Sequence, residues 1–150
     1  MKITIRQCTG AEPEVSVTYD KLTPDIAKVI SFLKGHNLTL TGRADDETVR
    51  FPASSILYIE SVDDKTFAYT PDKVIKLNQS LAALTETLDD IRFFRCSKSM
   101  ILNIDKIEKL KSLPSNRIDA TMQGGEHILI SRTYASDLRK RLKEGGSRHE

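Results

Sequence analysis

Residues 56–69 read Ile-Leu-Tyr-Ile-Glu-Ser-Val-Asp-Asp-Lys-Thr-Phe-Ala-Tyr, and this stretch decides the fold class. Two runs rich in β-branched and aromatic residues lie on either side of the polar Asp-Asp-Lys triplet, which is typical of a turn. Similar runs occupy residues 38–41, 48–51 and 73–77, with Asp-, Pro- and Lys-containing segments between them. This spacing predicts an antiparallel meander of short strands.

The strand pattern resumes beyond a short helical interruption. Leucines at positions 77, 81, 84 and 88 have helical spacing, and Asn78 is the expected N-cap. Strands are expected over residues 93–95, 100–104, 117–122 and 127–130, with a Gly124-Gly125 hairpin turn between the last two. Residues 134–143 then predict a C-terminal helix, which Gly145-Gly146 ends. The expected fold class is α+β, predominantly antiparallel β.

The first 45 residues carry a different pattern. Residues 3–5 and 15–19 alternate apolar and polar side chains around a polar turn, which predicts two strands. Thr23 as N-cap, Pro24 at the first helical position and apolar residues at helical spacing up to Gly35 predict an amphipathic helix. With a boundary near residues 42–47, we expect an N-terminal αβ extension at 1–45 for regulation or dimerisation, a β-rich domain at 46–145 and a disordered tail at 146–150.

Charge is distributed unevenly along the chain. The net +2 divides into −4 over residues 1–90, which hold 10 Lys and Arg against 14 Asp and Glu, and +6 over residues 91–150, which hold 13 against 7. A basic half can bind nucleic acid through its phosphates, although many basic surfaces only increase solubility. Aromatic residues make up 6% of the chain and Trp is absent, which disfavours a surface that stacks the bases of single strands.

Catalytic and metal-binding patterns are missing from the sequence. The three histidines, at positions 36, 127 and 149, have no spacing typical of a metal site and no nucleophile motif beside them. Cys8 and Cys96 lie far apart, as expected of reduced thiols in buried or inert positions. Neither GxGxxG nor a Walker A motif occurs. The sequence therefore predicts no catalytic residue, no metal site, no cofactor and no small-molecule substrate, and so no enzyme.

Four segments, taken in order, resemble the LytTR family of bacterial transcription-factor domains. They are residues 56–67, 77–84, 93–103 and 130–134, and the resemblance covers about residues 45 to 145. It implies a LytTR-type DNA-binding domain at 46–145, in which loops rather than a recognition helix enter successive major grooves of double-stranded DNA. The roughly 45 residues ahead of it are too few for a phosphoacceptor receiver domain. The resemblance is therefore to a regulator that stands alone.

The family reads DNA from three loop regions, and the resemblance places each of them in this sequence. The implied contact residues are Asp64, Lys65 and Thr66 in the first loop, Ser97 and Lys98 in the second, and Arg132 in the third. The guanidinium of Arg132 could pair with both acceptors on the edge of a guanine. Lys65 is expected to contact a phosphate, and Lys98 a phosphate or a base. Arg132 is thus the main candidate for reading sequence.

Three positions of the second segment leave alternatives open. Ser97 stands where many family members have His, and a serine hydroxyl has less reach and no charge. Arg95 either reads DNA or is a structural anchor that pairs with a carboxylate such as Glu60. Asn103 either contacts DNA or ties down a turn through its side chain.

The expected function is sequence-specific binding of double-stranded DNA by a transcriptional regulator that acts as a homodimer on a repeated site. The alternative is a protein-interaction module on a LytTR scaffold, whose N-terminal portion binds a sensor or regulator. Both functions could coexist, since the resemblance also implies a membrane-protein inhibitor as a partner. The charged N-terminus lacks the apolar run of a signal peptide or a transmembrane helix, so we expect a cytoplasmic protein.

Overall fold

A computed structural model of the chain describes residues 1–36 and 38–146. The elements are α1 Pro24–His36, β1 Thr39–Ala44, β2 Glu47–Pro52, β3 Tyr58–Val62, β4 Lys65–Tyr69, β5 Val74–Leu77, α2 Leu81–Thr87, β6 Phe93–Ser97, β7 Met100–Asn103, β8 Ile107–Leu113, β9 Arg117–Met122, β10 His127–Ile130 and α3 Arg132–Gly146. Short 3₁₀ turns lie at Ala53–Ser55, Ile104–Lys106 and Pro114–Asn116. The predicted class, α+β with predominantly antiparallel β-structure, is confirmed.

The strands form two antiparallel sheets. The large sheet has seven strands in the order β2-β1-β5-β4-β3-β7-β6, and the small sheet has three in the order β10-β9-β8. Strand β8 was not among the predicted strands. Its register shifts between Ile107 and Lys109, and this irregularity breaks the period of two by which a strand is identified in a sequence.

Each sheet contributes to its own hydrophobic core. The first core joins α2 to the large sheet and buries Ile59, Ile75 and Leu84 completely. The second core joins α3 and the small sheet to β6 and β7, and includes Leu102 and Leu138. Each such buried aliphatic side chain contributes about 1.5–3 kcal/mol through the area it removes from water. The second core therefore fixes α3 against the edge of the large sheet.

The starts of the first two helices have side-chain caps. The Thr23 hydroxyl accepts a hydrogen bond from the Ile26 amide at 3.3 Å, as the sequence predicts. Helix α2 is capped by Ser80, whose hydroxyl accepts from the Ala83 amide at 3.1 Å. The prediction of Asn78 as its N-cap was wrong, because the helix begins at Leu81 and the cap is the residue directly before it, whose backbone is extended.

The two strands predicted at residues 3–5 and 15–19 do not form. In the described structure no helix or strand occurs within residues 1–22. Strand-forming residues need a partner for their backbone hydrogen bonds, and this segment forms no ladder with any other described residue. Residues 3–5 and 15–19 therefore have the sequence pattern of strands but belong to neither sheet.

The expected boundary at residues 42–47 lies in the hairpin between β1 and β2. Strand β1 also pairs with β5, with Arg43 opposite Lys76, and so it is an inner strand of the large sheet. Gly42 lies against β5, where an added Cβ would approach the Lys76 carbonyl oxygen to 2.6 Å. The predicted tail at 146–150 lies, apart from Gly146, outside the described residues.

Candidate nucleic-acid interface

The turn between β3 and β4 carries the residues predicted for the first loop. Asp63 and Asp64 both have left-handed backbone conformations, with φ of 51° and 62°, which is the geometry of a two-residue hairpin turn. Asp64 and Lys65 are exposed. Thr66 is only 5% exposed, so its side chain has little surface to offer to a ligand. The structure thus leaves Asp64 and Lys65 as the accessible side chains of this loop.

A pair of stacked tyrosines joins the two strands at the opposite end of this hairpin. The rings of Tyr58 and Tyr69 lie 4.4 Å apart at an interplanar angle of 14°, and the Tyr69 hydroxyl donates to Glu60 Oε1 at 3.4 Å. Burial, followed by the charges of Tyr69, Glu126 and Glu60, raises the pKa of Tyr58 to about 12. The phenol is therefore neutral at ordinary pH. This packing stiffens the strands that carry the turn.

The turn between β6 and β7 is held by Arg95. Its Nε donates to the carbonyl oxygen of Ser97 at 2.9 Å, and its Nη2 donates to that of Lys98. The Ser97 hydroxyl accepts from the Ser99 amide at 3.2 Å. Arg95 is therefore a structural anchor, as one of the two alternatives has it, but its partners are turn carbonyls rather than Glu60. The turn leaves the side chain of Lys98 exposed and that of Ser97 half-buried.

Buried groups support the same strands. Asn103 is completely buried; its Nδ2 donates to the Ile56 carbonyl at 2.8 Å and its Oδ1 accepts from the Asp105 amide at 3.1 Å. Asn103 therefore ties down a turn and has no surface with which to contact DNA. Burial also raises the pKa of the Cys96 thiol to about 12, which keeps it protonated, whereas Cys8 is exposed. Both thiols are free, as predicted.

The first and second loops lie side by side at one end of the large sheet. Strands β3 and β7 are antiparallel neighbours, with Glu60 opposite Met100. Beyond this pair the Ser61 amide of β3 donates to the Ser99 carbonyl of the β6–β7 turn at 2.8 Å, which fixes that turn to the strand leading into the β3–β4 turn. Lys65 and Lys98 thus belong to adjacent turns, and neither forms an ion pair within residues 1–36 and 38–146.

Arg132, the residue predicted for the third loop, is the first residue of α3. It is exposed, and in the part of the chain that the structure describes it has no hydrogen bond or ion pair. The preceding Ser131 carbonyl accepts from the Tyr134 and Ala135 amides at 3.0 and 2.9 Å. The first turn of α3 has no acidic residue, so the positive end of the helix dipole favours an anion here.

Helix α3 is fixed at its other end against β6. The guanidinium of Arg141 lies 5.1 Å from the centre of the Phe94 ring, and its Nη1 donates to the carbonyl oxygens of Phe93, at 3.4 Å, and Asp90. Arg132 is therefore carried by a rigid element. Arg132 follows β10 of the small sheet, whereas the first two loops belong to the large sheet, so this third position comes from a separate layer of the fold.

The described residues offer neither a cluster of metal ligands nor a membrane-spanning helix. Across the described ranges, no group of three or more His, Cys, Asp or Glu side chains is arranged to hold a metal ion. His127 is exposed, with its Nδ1 3.1 Å from the Asp119 carboxylate and 3.4 Å from the Thr121 hydroxyl. None of the helices in these ranges is both long and apolar enough to cross a membrane.

Comparison with a solved structure agrees with this architecture. A chain described as the LytTr DNA-binding domain of a methyl-accepting/DNA response regulator from Bacillus cereus superposes with a TM-score of 0.66 and 28% sequence identity. The superposition covers 69% of this chain and 95% of that chain. The β-rich part of the fold is therefore that of a LytTr domain.

Comparison with known sequences gives three relatives of interest. Sensory transduction protein LytT of Bacillus cereus is 28% identical over 108 residues, which are 72% of this chain and 43% of that protein. LytT of Bacillus subtilis is 26% identical over 126 residues, 83% of this chain and 52% of that protein. An HTH-type transcriptional regulator of Staphylococcus aureus is 27% identical over 135 residues, 87% of this chain and 90% of that protein. The chain thus spans about half the length of the LytT relatives it matches.

The family itself is assigned by a sequence model. The model of the LytTr DNA-binding domain matches residues 46–143. This match covers well over half of the chain and agrees with the extent of the resemblance found from the four segments. It describes a DNA-binding domain and not an enzyme. The chain belongs to the LytTr DNA-binding domain family.

Proposed function

We propose that the chain is a transcriptional regulator that binds double-stranded DNA sequence-specifically and reads the major groove through the β3–β4 and β6–β7 loops and through Arg132, the residue predicted for the third loop, at the start of α3. The observation that carries the proposal is that the β3–β4 and β6–β7 turns lie at the same end of neighbouring strands, where the Ser61 amide of β3 donates to the Ser99 carbonyl of the β6–β7 turn at 2.8 Å. This places Lys65 and Lys98, two exposed cations without an ion-pair partner among the described residues, in neighbouring loops of a DNA-binding domain.

Each loop residue has a proposed role that follows from its exposure and chemistry. Arg132 pairs with the O6 and N7 acceptors of a guanine, a contact that discriminates by about 1–3 kcal/mol. Lys65 contacts a phosphate and positions the protein without selecting sequence, and Lys98 contacts a phosphate or a base. The Ser97 hydroxyl accepts from the Ser99 amide and lies 3.5 Å from the Ser99 hydroxyl, and its proposed role is to donate its proton to a phosphate. Asp64 is exposed in the β3–β4 turn next to Lys65, and we place it in the contact loop without assigning it a base or a phosphate.

Reading by loops is supported by the arrangement of the helices. The Staphylococcus aureus relative is named an HTH-type regulator, and such a motif needs two helices joined by a short turn. Among the described residues each helix is followed or preceded by strands: β1 follows α1, α2 lies between β5 and β6, and α3 follows β10. A recognition helix of the helix-turn-helix type has no counterpart in this arrangement.

The proposal includes two copies on a repeated site and an N-terminal extension, residues 1–45, for regulation or dimerisation. A membrane-protein inhibitor is a further proposed partner, and the proposed location is the cytoplasm. The extension is fixed to the domain through α1, because the Arg92 guanidinium lies 5.2 Å from the centre of the Phe32 ring. Gly35 lies so close to Asp89 that an added Cβ would approach its Oδ2 to 2.6 Å.

Selection of bound fragments from random duplex DNA tests the proposed function. The full chain should enrich one sequence, present twice at a spacing near a multiple of the helical repeat of about 10.5 base pairs. A heat-unfolded sample of the same chain is the control for adsorption to the matrix. Recovery of random sequences, with no enrichment over that control, would contradict sequence-specific binding.

A further inference from the structure

An N-terminal arm, defined as residues 1–22, lies outside both hydrophobic cores. No residue of the arm is buried, and its large apolar side chains face solvent: Ile3 is 77% exposed, Ile5 89% and Val15 72%. Several exposed aliphatic residues close together in one segment are typical of an interaction surface. The arm is therefore a candidate for contact with another molecule.

The arm has the sequence of a β-hairpin without its ladder. Apolar residues alternate with polar ones at residues 3–5 and again at 15–19, and a turn joins the two halves. In this turn the Ala11 amide donates to the Cys8 carbonyl at 3.2 Å, and Gly10 has a φ of 82°. An isolated two-stranded hairpin is only marginally stable in water. The arm needs additional strands to become a stable sheet.

The charges of the arm are complementary between its two halves, so a second copy of the same arm is a partner of matching charge. Residues 1–10 contain Lys2 and Arg6 and no acidic residue, whereas residues 11–20 contain Glu12, Glu14 and Asp20 and no basic residue. In a two-fold arrangement the first half of each arm can lie antiparallel to the second half of the other. Opposite charges then face each other across both strand pairs, which stabilises the sheet.

We propose that residues 1–22 pair with the same residues of a second copy in an intermolecular β-sheet, and that this sheet forms the homodimer. Its apolar side chains would share one face and cover each other. The arm continues into α1 at Pro24, and α1 is fixed to the domain at Arg92 and Asp89, so the sheet would hold two DNA-binding domains together. The proposal rests on the proposed function only for the use of two copies.

Sedimentation equilibrium of the full chain without DNA tests the pairing through two charge-reversal variants. Lys2→Glu/Arg6→Glu makes the arm acidic in both halves, and Glu12→Lys/Glu14→Lys makes it basic in both halves. Each variant alone should dimerise at least about tenfold more weakly than the wild type, because like charges face each other. An equimolar mixture should form a heterodimer of wild-type strength. If the two halves of an arm paired only within one chain, each variant would keep its own like charges in the mixture, and mixing would not restore the pairing.

A matched control carries the same change of charge elsewhere. Lys73→Glu/Lys109→Glu reverses two exposed lysines outside the arm and should leave the dimer intact. Circular dichroism should show both arm variants folded, since no arm residue belongs to either core. A wild type that stays monomeric, variants that dimerise normally, or a mixture that stays monomeric would each overturn the proposal.

A separate measurement distinguishes this proposal from the proposed function. Binding to a duplex with one copy of the selected site should be the same for the wild type and for Lys2→Glu/Arg6→Glu, while binding to the double site should weaken only in the variant. Loss of dimerisation with normal single-site binding is the expected result. A dimer that binds no DNA would contradict the proposed function and leave the arm pairing standing.

Discussion

Two hairpins of the large sheet turn through the same dipeptide. Asp45-Asp46 joins β1 to β2 with φ of 51° and 64°, and Asp63-Asp64 joins β3 to β4 with φ of 51° and 62°. All four residues are exposed. Aspartate tolerates the left-handed region better than most residues, so the same local sequence gives the same turn twice.

The surroundings of the two turns differ. Glu47 follows the first turn and begins the edge strand β2, whereas Lys65 follows the second turn and begins β4, an inner strand whose hairpin partner β3 is the neighbour of β7. In the first hairpin Arg43 donates to the Asp46 carbonyl of its own turn at 3.1 Å. In the β6–β7 hairpin Arg95 does the same for Ser97 and Lys98. Turn residues specify each hairpin, and the DNA contact that we propose for the second hairpin depends on the strands beside it.

The largest loss of DNA affinity is expected from Arg95→Ala, in the β6–β7 turn. Removal of the guanidinium frees the carbonyls of Ser97 and Lys98, so the second loop loses its fixed shape. Two charge-assisted hydrogen bonds are lost, and affinity for the selected duplex should fall by at least about tenfold, as measured by fluorescence anisotropy.

The matched variant is Arg43→Ala, which removes an arginine that holds the β1–β2 turn in a similar way. It should leave DNA affinity unchanged. We assign the β6–β7 turn to the DNA interface and leave the β1–β2 turn outside it. Equal losses of DNA affinity in Arg95→Ala and Arg43→Ala would contradict this assignment. Urea unfolding of both variants shows whether a loss of affinity reflects a loss of the fold.

A smaller effect is expected from Lys65→Ala. Because its ammonium is proposed to contact a phosphate, the affinities for selected and random duplexes should fall together. The slope of log K against log salt concentration should become shallower by about one unit. Glu47→Ala, at the equivalent position after the other Asp-Asp turn, should not make the slope shallower. An unchanged slope for Lys65→Ala would remove Lys65 from the proposed contacts.

The smallest effect is expected from glycine in the second position of each turn. Asp46→Gly and Asp64→Gly relieve the left-handed backbone conformation, and each should raise the free energy of unfolding in urea by less than about 1 kcal/mol. The two increases should agree, because the two turns have the same geometry. A stabilising change in one hairpin and a destabilising change in the other would show that the turns are not equivalent.

Local signals in the sequence predict the elements whose partners are close in the chain. Thr23 caps α1 as expected, and the Asp-Asp turn with its flanking strands appears where residues 56–69 place it. The order of seven strands depends on contacts between distant residues, such as Ser61 and Ser99, which no short pattern encodes. The strands predicted in the arm are absent for a related reason, since strand propensity does not supply a partner strand.

In the candidate site, too, the exposed positions could be predicted, whereas the contacts that depend on strand register could not. The resemblance placed Lys65, Lys98 and Arg132 on exposed segments, and the structure leaves all three accessible. It could not predict that Thr66 faces the interior, because a shift of one position along a strand changes the face. The carbonyl partners of Arg95 depend on the register shift between Arg95 and Ser97, and an acidic partner such as Glu60 was the natural but incorrect expectation.

The central claim is that DNA is contacted by the β3–β4 and β6–β7 loops and by the start of α3, where Arg132 selects a base. The most direct test is the ratio of affinities for the selected duplex and a scrambled duplex, measured at one salt concentration for Arg132→Ala and for Arg50→Ala. Arg50 is an exposed arginine on the edge strand β2. We predict that Arg132→Ala lowers this ratio about tenfold with an unchanged free energy of unfolding, while Arg50→Ala keeps the wild-type ratio. A wild-type ratio in Arg132→Ala would contradict the account.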